Sequence, residues 1–307
     1  SMMKTIKKAS EETTTEETKN TEKKTSTSKS NASYKAAYYD MESLPKARGI
    51  DAPACILMDP KTGAVLYQKN ADEMHYPAST TKVMTALLAI ENCNMDDIVT
   101  FTKEAVTSIP SDSSTAGVNV GAQLTVEDCL YLLLLQSANE VANALAEHIA
   151  GSVDDFPDMM NARAKELGCT GTHFANAHGY WQEDHYTTAR DMSKIMTRAI
   201  KHKDFRRIAG TVKYTVENDT LNDTIYLVNH SKILRKDTEY YYEFAKASKT
   251  GYTDVARHTL VTYAKKGDVN LVCVVLEEEK SMDYLDTAAL FRWGFEQVKA
   301  IRPLQDI

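Results

Sequence analysis

The chain has 307 residues, 43% of them hydrophobic and 26% charged, with a formal net charge of −7. That length and apolar content suffice for one large domain or two small ones, which excludes a wholly disordered or peptide-like protein. The acidic balance argues against a phosphate-tracking surface, so no nucleic-acid partner is expected. No run reaches the roughly 18 to 20 apolar residues of a membrane helix.

Between Ser10 and Ser33 the only apolar residue is Ala32. Nothing there offsets the chain entropy lost on ordering, so residues 1–45 are expected to be a disordered Ser/Thr/Lys/Glu-rich tether and residues 46–307 the folded domain. Met2 to Lys8 has the charge of a signal-peptide start but no apolar stretch behind it, so an export signal is expected to be absent here or removed. Five cysteines (Cys55, Cys93, Cys129, Cys169 and Cys273) are odd in number and far apart. They read as buried free thiols, with one chance bridge left open.

From Ala52 the pattern becomes globular. Ala54 to Met58 and Ala64 to Tyr67 flank Asp59-Pro60-Lys61-Thr62-Gly63, a hairpin with a tight turn. Helices are predicted over Val83 to Glu91, over Val126 to Ile149 after a near capping box at Thr125 and Asp128, over Asp155 to Leu167, and over Thr188 to His202. A second hairpin pairs Thr259 to Tyr263 with Val269 to Leu276 around Lys265-Lys266-Gly267-Asp268, and a last helix fits Met282 to Lys299. Strands clustered at both ends around a helical middle predict an α/β (α+β) fold: a mostly antiparallel sheet built from both chain ends, flanked by helices, with a helical subdomain inserted.

Four Ser-x-x-Lys matches occur, but only Ser79-Thr80-Thr81-Lys82 opens an apolar helix. At that spacing hydroxyl and amine share a helix face. A serine becomes nucleophilic when a base takes its proton, and lysine can be that base once burial lowers its pKa. The plainer alternative is a capping serine beside a solvated lysine. Ser137-Ala138-Asn139 interrupts an apolar run and either caps a helix or points into a site. Lys-Thr-Gly occurs twice. Lys61-Thr62-Gly63 sits in the first hairpin turn, whereas Lys249-Thr250-Gly251 precedes Tyr252-Thr253 and a strand-like segment, where glycine admits a ligand to the backbone and lysine supplies charge.

Taken in order, Ser79-x-x-Lys82, Ser137-x-Asn139 and Lys249-Thr250-Gly251 resemble the three signatures of the penicillin-binding protein and serine β-lactamase superfamily. Within it the chain is similar to the D-alanyl-D-alanine carboxypeptidases, through Pro77 to Lys82, Gln136 to Asn139, Asn176 to Gly179, His185 to Ala189, Lys249 to Thr253 and Trp293 to Phe295. The resemblance implies a β-lactamase/transpeptidase-like fold and a catalytic domain over residues 46–307. It further implies that Ser79 attacks the carbonyl between two D-alanines of a peptidoglycan stem peptide, with Lys82 as base. Ser137 and Asn139 would pass protons or position substrate, and the N–H groups of Ser79 and Tyr252 would form the oxyanion hole. Lys249 and Thr250 would hold the anionic end, beside Gly251 and Thr253. β-Lactams would be covalent inhibitors, the protein would act outside the cytoplasmic membrane, and no cofactor or metal is expected.

Two departures stand out. Where relatives often carry Arg or Lys after the last core strand, this chain reads Glu277-Glu278-Glu279-Lys280, which puts carboxylate recognition there in doubt. Ala247-Ser248 replaces the usual Gly-Ile, and Arg257 is either an alternative anion ligand or a surface charge. His173, His178 and His185 with Glu183 and Asp184 match no zinc spacing and read as a structural loop. Tyr240-Tyr241-Tyr242 either lines a groove for a peptide or glycan or forms an exposed strand edge. Two rivals are carried forward. A class A-like β-lactamase needs a deacylating Glu-x-x-Leu-Asn, and Glu166-Leu167-Gly168-Cys169 does not match it. A non-catalytic penicillin sensor would not release D-alanine.

Overall fold

The computed structural model describes Ala47 and residues 49–305, with side chains as far as Val298; the tether expected over residues 1–45 lies outside the described residues. The first hairpin is β1 (Ala54–Met58) and β2 (Val65–Lys69). Its turn is held by the Asp59 carboxylate, which accepts the N–H groups of Lys61 and Thr62 at 2.8 and 3.2 Å, and Gly63 supplies the positive φ of 74°. The first Lys-Thr-Gly is therefore turn chemistry. A 3-10 turn, Ala78–Thr81, leads into α1 (Lys82–Asn92).

The helical middle follows. β3 (Ile98–Thr100), α2 (Lys103–Thr107) and β4 (Gln123–Thr125) precede α3 (Val126–Leu135) and α4 (Asn139–Ala150). Next come α5 (Phe156–Glu166), α6 (Ala189–Ala199) and α7 (Lys203–Ala209), then the hairpin β5 (Lys213–Val216) and β6 (Ile225–Val228). The chain closes with β7 (Ala245–Thr253), β8 (Arg257–Lys266), β9 (Val269–Glu278) and α8 (Met282–Gln305).

The main sheet has the order β2-β1-β9-β8-β7 and is antiparallel throughout, so the two chain-end hairpins meet where β1 pairs with β9. Both faces are covered, which is why β9 is a continuous apolar run. Val272, Val274 and Leu276 face the helical middle, while Leu271, Cys273 and Val275 face α8. Tyr284, Ala288, Phe291, Phe295 and Val298 recur at helical spacing along α8 and form its buried stripe. Among the described residues no helix is long and apolar enough to cross a membrane.

Several expectations are corrected. The helix predicted over Val126 to Ile149 is two helices. Thr125 does cap α3, accepting the Asp128 N–H at 3.1 Å, but Ser137 takes a φ of +60° and breaks the run. The helix predicted from Thr188 to His202 ends at Ala199, and α7 follows separately. Tyr240 stacks on Tyr284 and Tyr242 on Phe291, so these two tyrosines pack on α8 and form neither a groove nor a strand edge. All five cysteines are free, but only Cys55, Cys129 and Cys273 are buried; Cys93 and Cys169 are partly exposed.

Candidate active site

Three chain segments converge where the edge strand β7 meets the start of α1. Ser79 lies in the 3-10 turn, where side chains three apart eclipse, so Lys82 at the head of α1 points back to it. The turn is entered through a strained Ala78 at φ +51°. Gly179 packs so closely against it that a Cβ there would collide with the Ala78 carbonyl oxygen. The Pro77 carbonyl accepts from the hydroxyls of Thr80 (2.6 Å) and Thr259 (2.9 Å), tying the turn to β8. Gly251 serves the same approach from β7: a Cβ on it would lie 2.9 Å from the Ser79 nitrogen and 3.1 Å from the Pro77 oxygen.

Lys82 is fully buried. Its Nζ lies 2.9 Å from Ser79 Oγ, 2.7 Å from Asn139 Oδ1 and 2.8 Å from the His178 carbonyl oxygen. Burial first, then the nearby Lys249, hold its pKa well below the ordinary lysine value, with Glu140 opposing. A neutral amine has two N–H bonds and one lone pair. Here two acceptors that cannot donate, the Asn139 amide oxygen and the His178 carbonyl, take the N–H bonds, so the lone pair is left for the Ser79 hydroxyl.

The helix break delivers the other two predicted residues. The positive φ of Ser137 turns the chain so that Asn139 begins α4, its N–H donating to the Ser114 carbonyl at 2.9 Å. Ser137 Oγ is buried with no hydrogen-bond partner among the described residues and lines the cavity beside Ser79. Lys249, also fully buried, donates to the Thr250 carbonyl at 2.7 Å, and burial pushes its pKa down to about 7. Tyr252 is half exposed at the mouth, its hydroxyl donating to Asp254 at 2.9 Å, and the Thr253 hydroxyl caps the following turn by accepting the Ala256 N–H. All nine predicted site residues thus fall around one cleft, which opens on both sides of Ser79. One lobe, about 310 Å³, has Asp112, Asn139, Trp181, Tyr252 and Val255 in its wall. The other, about 250 Å³, has Ser137, Thr250 and His258.

Sequence reasoning missed several supports. Glu140 is buried one residue beyond the Ser-x-Asn motif, and its carboxylate accepts from the Thr115 hydroxyl and from the N–H groups of Ala116 and Gly117, pinning the loop that carries Ser114. Its signal was a carboxylate directly after the motif, in the first turn of an alanine-rich helix. In the Asn176 to Gly179 turn, Asn176 Oδ1 accepts the Gly179 N–H at 2.7 Å and so fixes the His178 carbonyl that Lys82 uses. The histidines read as structural are so employed. His185 bonds Thr81 Oγ1 at 2.8 Å and accepts the Ala175 N–H, and burial pushes both His178 and His185 down to about 3.

The same arrangement of sheet and helices occurs in solved structures. The D-alanyl-D-alanine carboxypeptidase of Mycobacterium tuberculosis superposes with a TM-score of 0.75 at 29% identity, covering 83% of this chain and 94% of that one. The DD-transpeptidase of Streptomyces K15 superposes with a TM-score of 0.74 at 31% identity, covering 82% and 100%. The fold is that of the DD-peptidases and transpeptidases. In sequence, D-alanyl-D-alanine carboxypeptidase DacF of Bacillus subtilis is 33% identical over 73% of this chain, and DacC of Escherichia coli 32% identical over 86%. The family model described as D-alanyl-D-alanine carboxypeptidase (peptidase S11) matches residues 40–280, and the chain belongs to that family. It spans 57% of the length of DacF and 66% of DacC.

Proposed function

We propose that the protein is a serine D-alanyl-D-alanine carboxypeptidase that removes the terminal D-alanine from peptidoglycan stem peptides through an acyl-enzyme on Ser79. The observation that carries this reading is the buried Lys82 amine, 2.9 Å from Ser79 Oγ with its two N–H bonds engaged elsewhere. As Ser79 Oγ attacks the carbonyl carbon, its proton passes to the Lys82 lone pair. The developing oxyanion is received by the Ser79 and Tyr252 N–H groups, and the close Gly251 contact supports that pairing by bringing β7 against Ser79. Collapse of the tetrahedral species breaks the C–N bond, and the leaving amine takes the proton back through Lys82, with Ser137 Oγ as the neighbouring hydroxyl. Water then adds to the ester and restores Ser79. Lys249 supplies positive potential behind Thr250.

The substrate lies outside the cytoplasmic membrane, so the protein acts there as an exported cell-wall hydrolase with a part in cell shape, and residues 1–45 serve as a spacer ahead of a catalytic domain over residues 46–307. A β-lactam acylates Ser79 and persists. Glu166 supports slow deacylation: it ion-pairs with Arg163 at 2.7 Å and lines a different surface cleft from Ser79. The test is mass spectrometry after incubation with penicillin. One intact penicillin mass is expected on the peptide containing Ser79, with release of D-alanine from diacetyl-lysyl-D-alanyl-D-alanine, and both are lost in Ser79→Ala. An adduct on Ser137 or a cysteine overturns the choice of nucleophile, and rapid penicillin hydrolysis with no trapped adduct favours the β-lactamase rival. Neither adduct nor release favours the sensor.

A further inference from the structure

The smaller lobe of the cleft lacks the guanidinium that a carboxylate-reading site would ordinarily present. Its wall includes Ser79, Ser137, His230, Thr250, His258 and Asp283, and no lining residue is an arginine or lysine. Arg257, the anion ligand suggested by the sequence, instead bonds Glu279 at 3.0 Å and is not in that wall. Lys249 directs its Nζ to the Thr250 carbonyl. Among the residues that line this lobe, those able to carry positive charge are the imidazoles of His230 and His258, in front of the potential that Lys249 supplies from behind Thr250.

Register identifies which one. Tyr252 on β7 pairs with His258 on β8, and their rings lie 4.5 Å apart. Thr250 is two residues from Tyr252 on the same strand, so its hydroxyl and the His258 imidazole leave the same sheet face side by side. His230 contributes differently: burial, then Lys249 and Lys82, push it down to about 4, so it is neutral at physiological pH. Two further groups mark the lobe as built for a ligand. Ser137 Oγ and Asp283 Oδ1 are both buried in its wall without a hydrogen-bond partner among the described residues, a costly arrangement until something polar enters.

We propose that His258 and Thr250 together receive the carboxylate of the departing D-alanine, and that Asp283 in the same lobe opposes that carboxylate whenever it is ionised. This rests on the reading of Ser79 as nucleophile and specifies how the leaving residue is recognised. The groups around His258 are Tyr252 on β7, Arg257 beside it, Glu278 opposite it on β9, and Glu279 and Lys280 beyond. Burial, then Arg257 and Lys280, push the imidazole down, with Glu279 opposing, while burial pushes Asp283 up to about 6 and Glu278 to about 9. As pH falls, His258 gains charge and Asp283 loses it, and both changes favour an anionic ligand.

Lys82 must be neutral to act, so total activity mixes two titrations. A ratio separates them: kcat/KM for diacetyl-lysyl-D-alanyl-D-alanine divided by that for its C-terminal amide, which shares the nucleophile but lacks the charge. In the wild type the ratio is expected to climb as pH falls below neutrality, with Asp283 losing its charge near about pH 6 and the depressed His258 gaining its own. His258→Gln should lower it about tenfold to a hundredfold at the acidic end and flatten its pH dependence. His258→Arg should restore it at every pH, and Asp283→Asn should raise it near neutrality. Penicillin labelling of Ser79 in each variant reports an intact site. A ratio that does not vary with pH in the wild type, or that ignores both His258→Gln and Asp283→Asn, overturns the assignment while leaving the carboxypeptidase reading intact. Failure of the wild type to cleave either peptide overturns that underlying reading.

Discussion

Replacing Lys249 with methionine should make the protein more stable while impairing it. The ammonium is fully buried, its hydrogen bond goes to the Thr250 carbonyl, and among the described residues no carboxylate pairs with it. Burial lowers its pKa from 10.5 to about 7. Between those values the unfolded chain holds a proton that the folded chain does not, so folding must expel it and stability rises with pH across that window. At about 1.4 kcal/mol per unit the penalty approaches about 5 kcal/mol. It is present in full below about pH 7 and vanishes as pH nears the unfolded value. Methionine keeps the volume and removes the penalty, losing a hydrogen bond of about 1 kcal/mol. Urea unfolding midpoints between about pH 6 and about pH 10 test this. Lys249→Met should exceed wild type by several kcal/mol at the acidic end and converge with it at the alkaline end, while hydrolysis of anionic peptides falls. A gap independent of pH, or a less stable variant near neutrality, would refute the argument that burial alone sets this lysine's proton affinity.

Lys82→Ala removes the proposed proton acceptor and should slow acylation of Ser79 by about 10² to 10⁴ for penicillin and peptide alike, measured by time-resolved mass spectrometry. Rates equal to wild type would eliminate Lys82 as the base and shift attention to Ser137. Gly251→Ala inserts a methyl that collides with Thr259 Oγ1 and lies 2.9 Å from the Ser79 nitrogen, so β7 must retreat from the nucleophile. A displacement near 1 Å is worth about a hundredfold in rate. Unaltered acylation in that variant would mean that the close approach of β7 has no part in catalysis.

Much of this protein was legible along the chain because local chemistry decided it. Thr125 capping Asp128, the Asp59 to Gly63 turn and the continuous apolar run of β9 each depend on residues a few positions apart. Two short pairings, β3 with β4 and β5 with β6, escaped because strands of three or four half-exposed residues carry too little periodicity to be read. The break after Leu135 was visible as a polar interruption, but its left-handed backbone at Ser137 was not, since serine has no local preference for that geometry and only the surrounding packing sustains it.

By itself the sequence determined the strand and helix material, the order of the three motifs, and that Ser79 and Lys82 share a face. Only the tertiary structure decided what those residues do to one another. Asn139, 57 positions from Lys82, and the His178 carbonyl, 96 positions away, engage the amine and orient its lone pair. The fold buries both lysines and so lowers their proton affinity. It also takes Arg257 onto Glu279 and leaves His258 facing the cleft, although the two are neighbours in sequence. Proton affinity and side-chain direction follow from desolvation and from strand register, and both come into being only when distant segments pack.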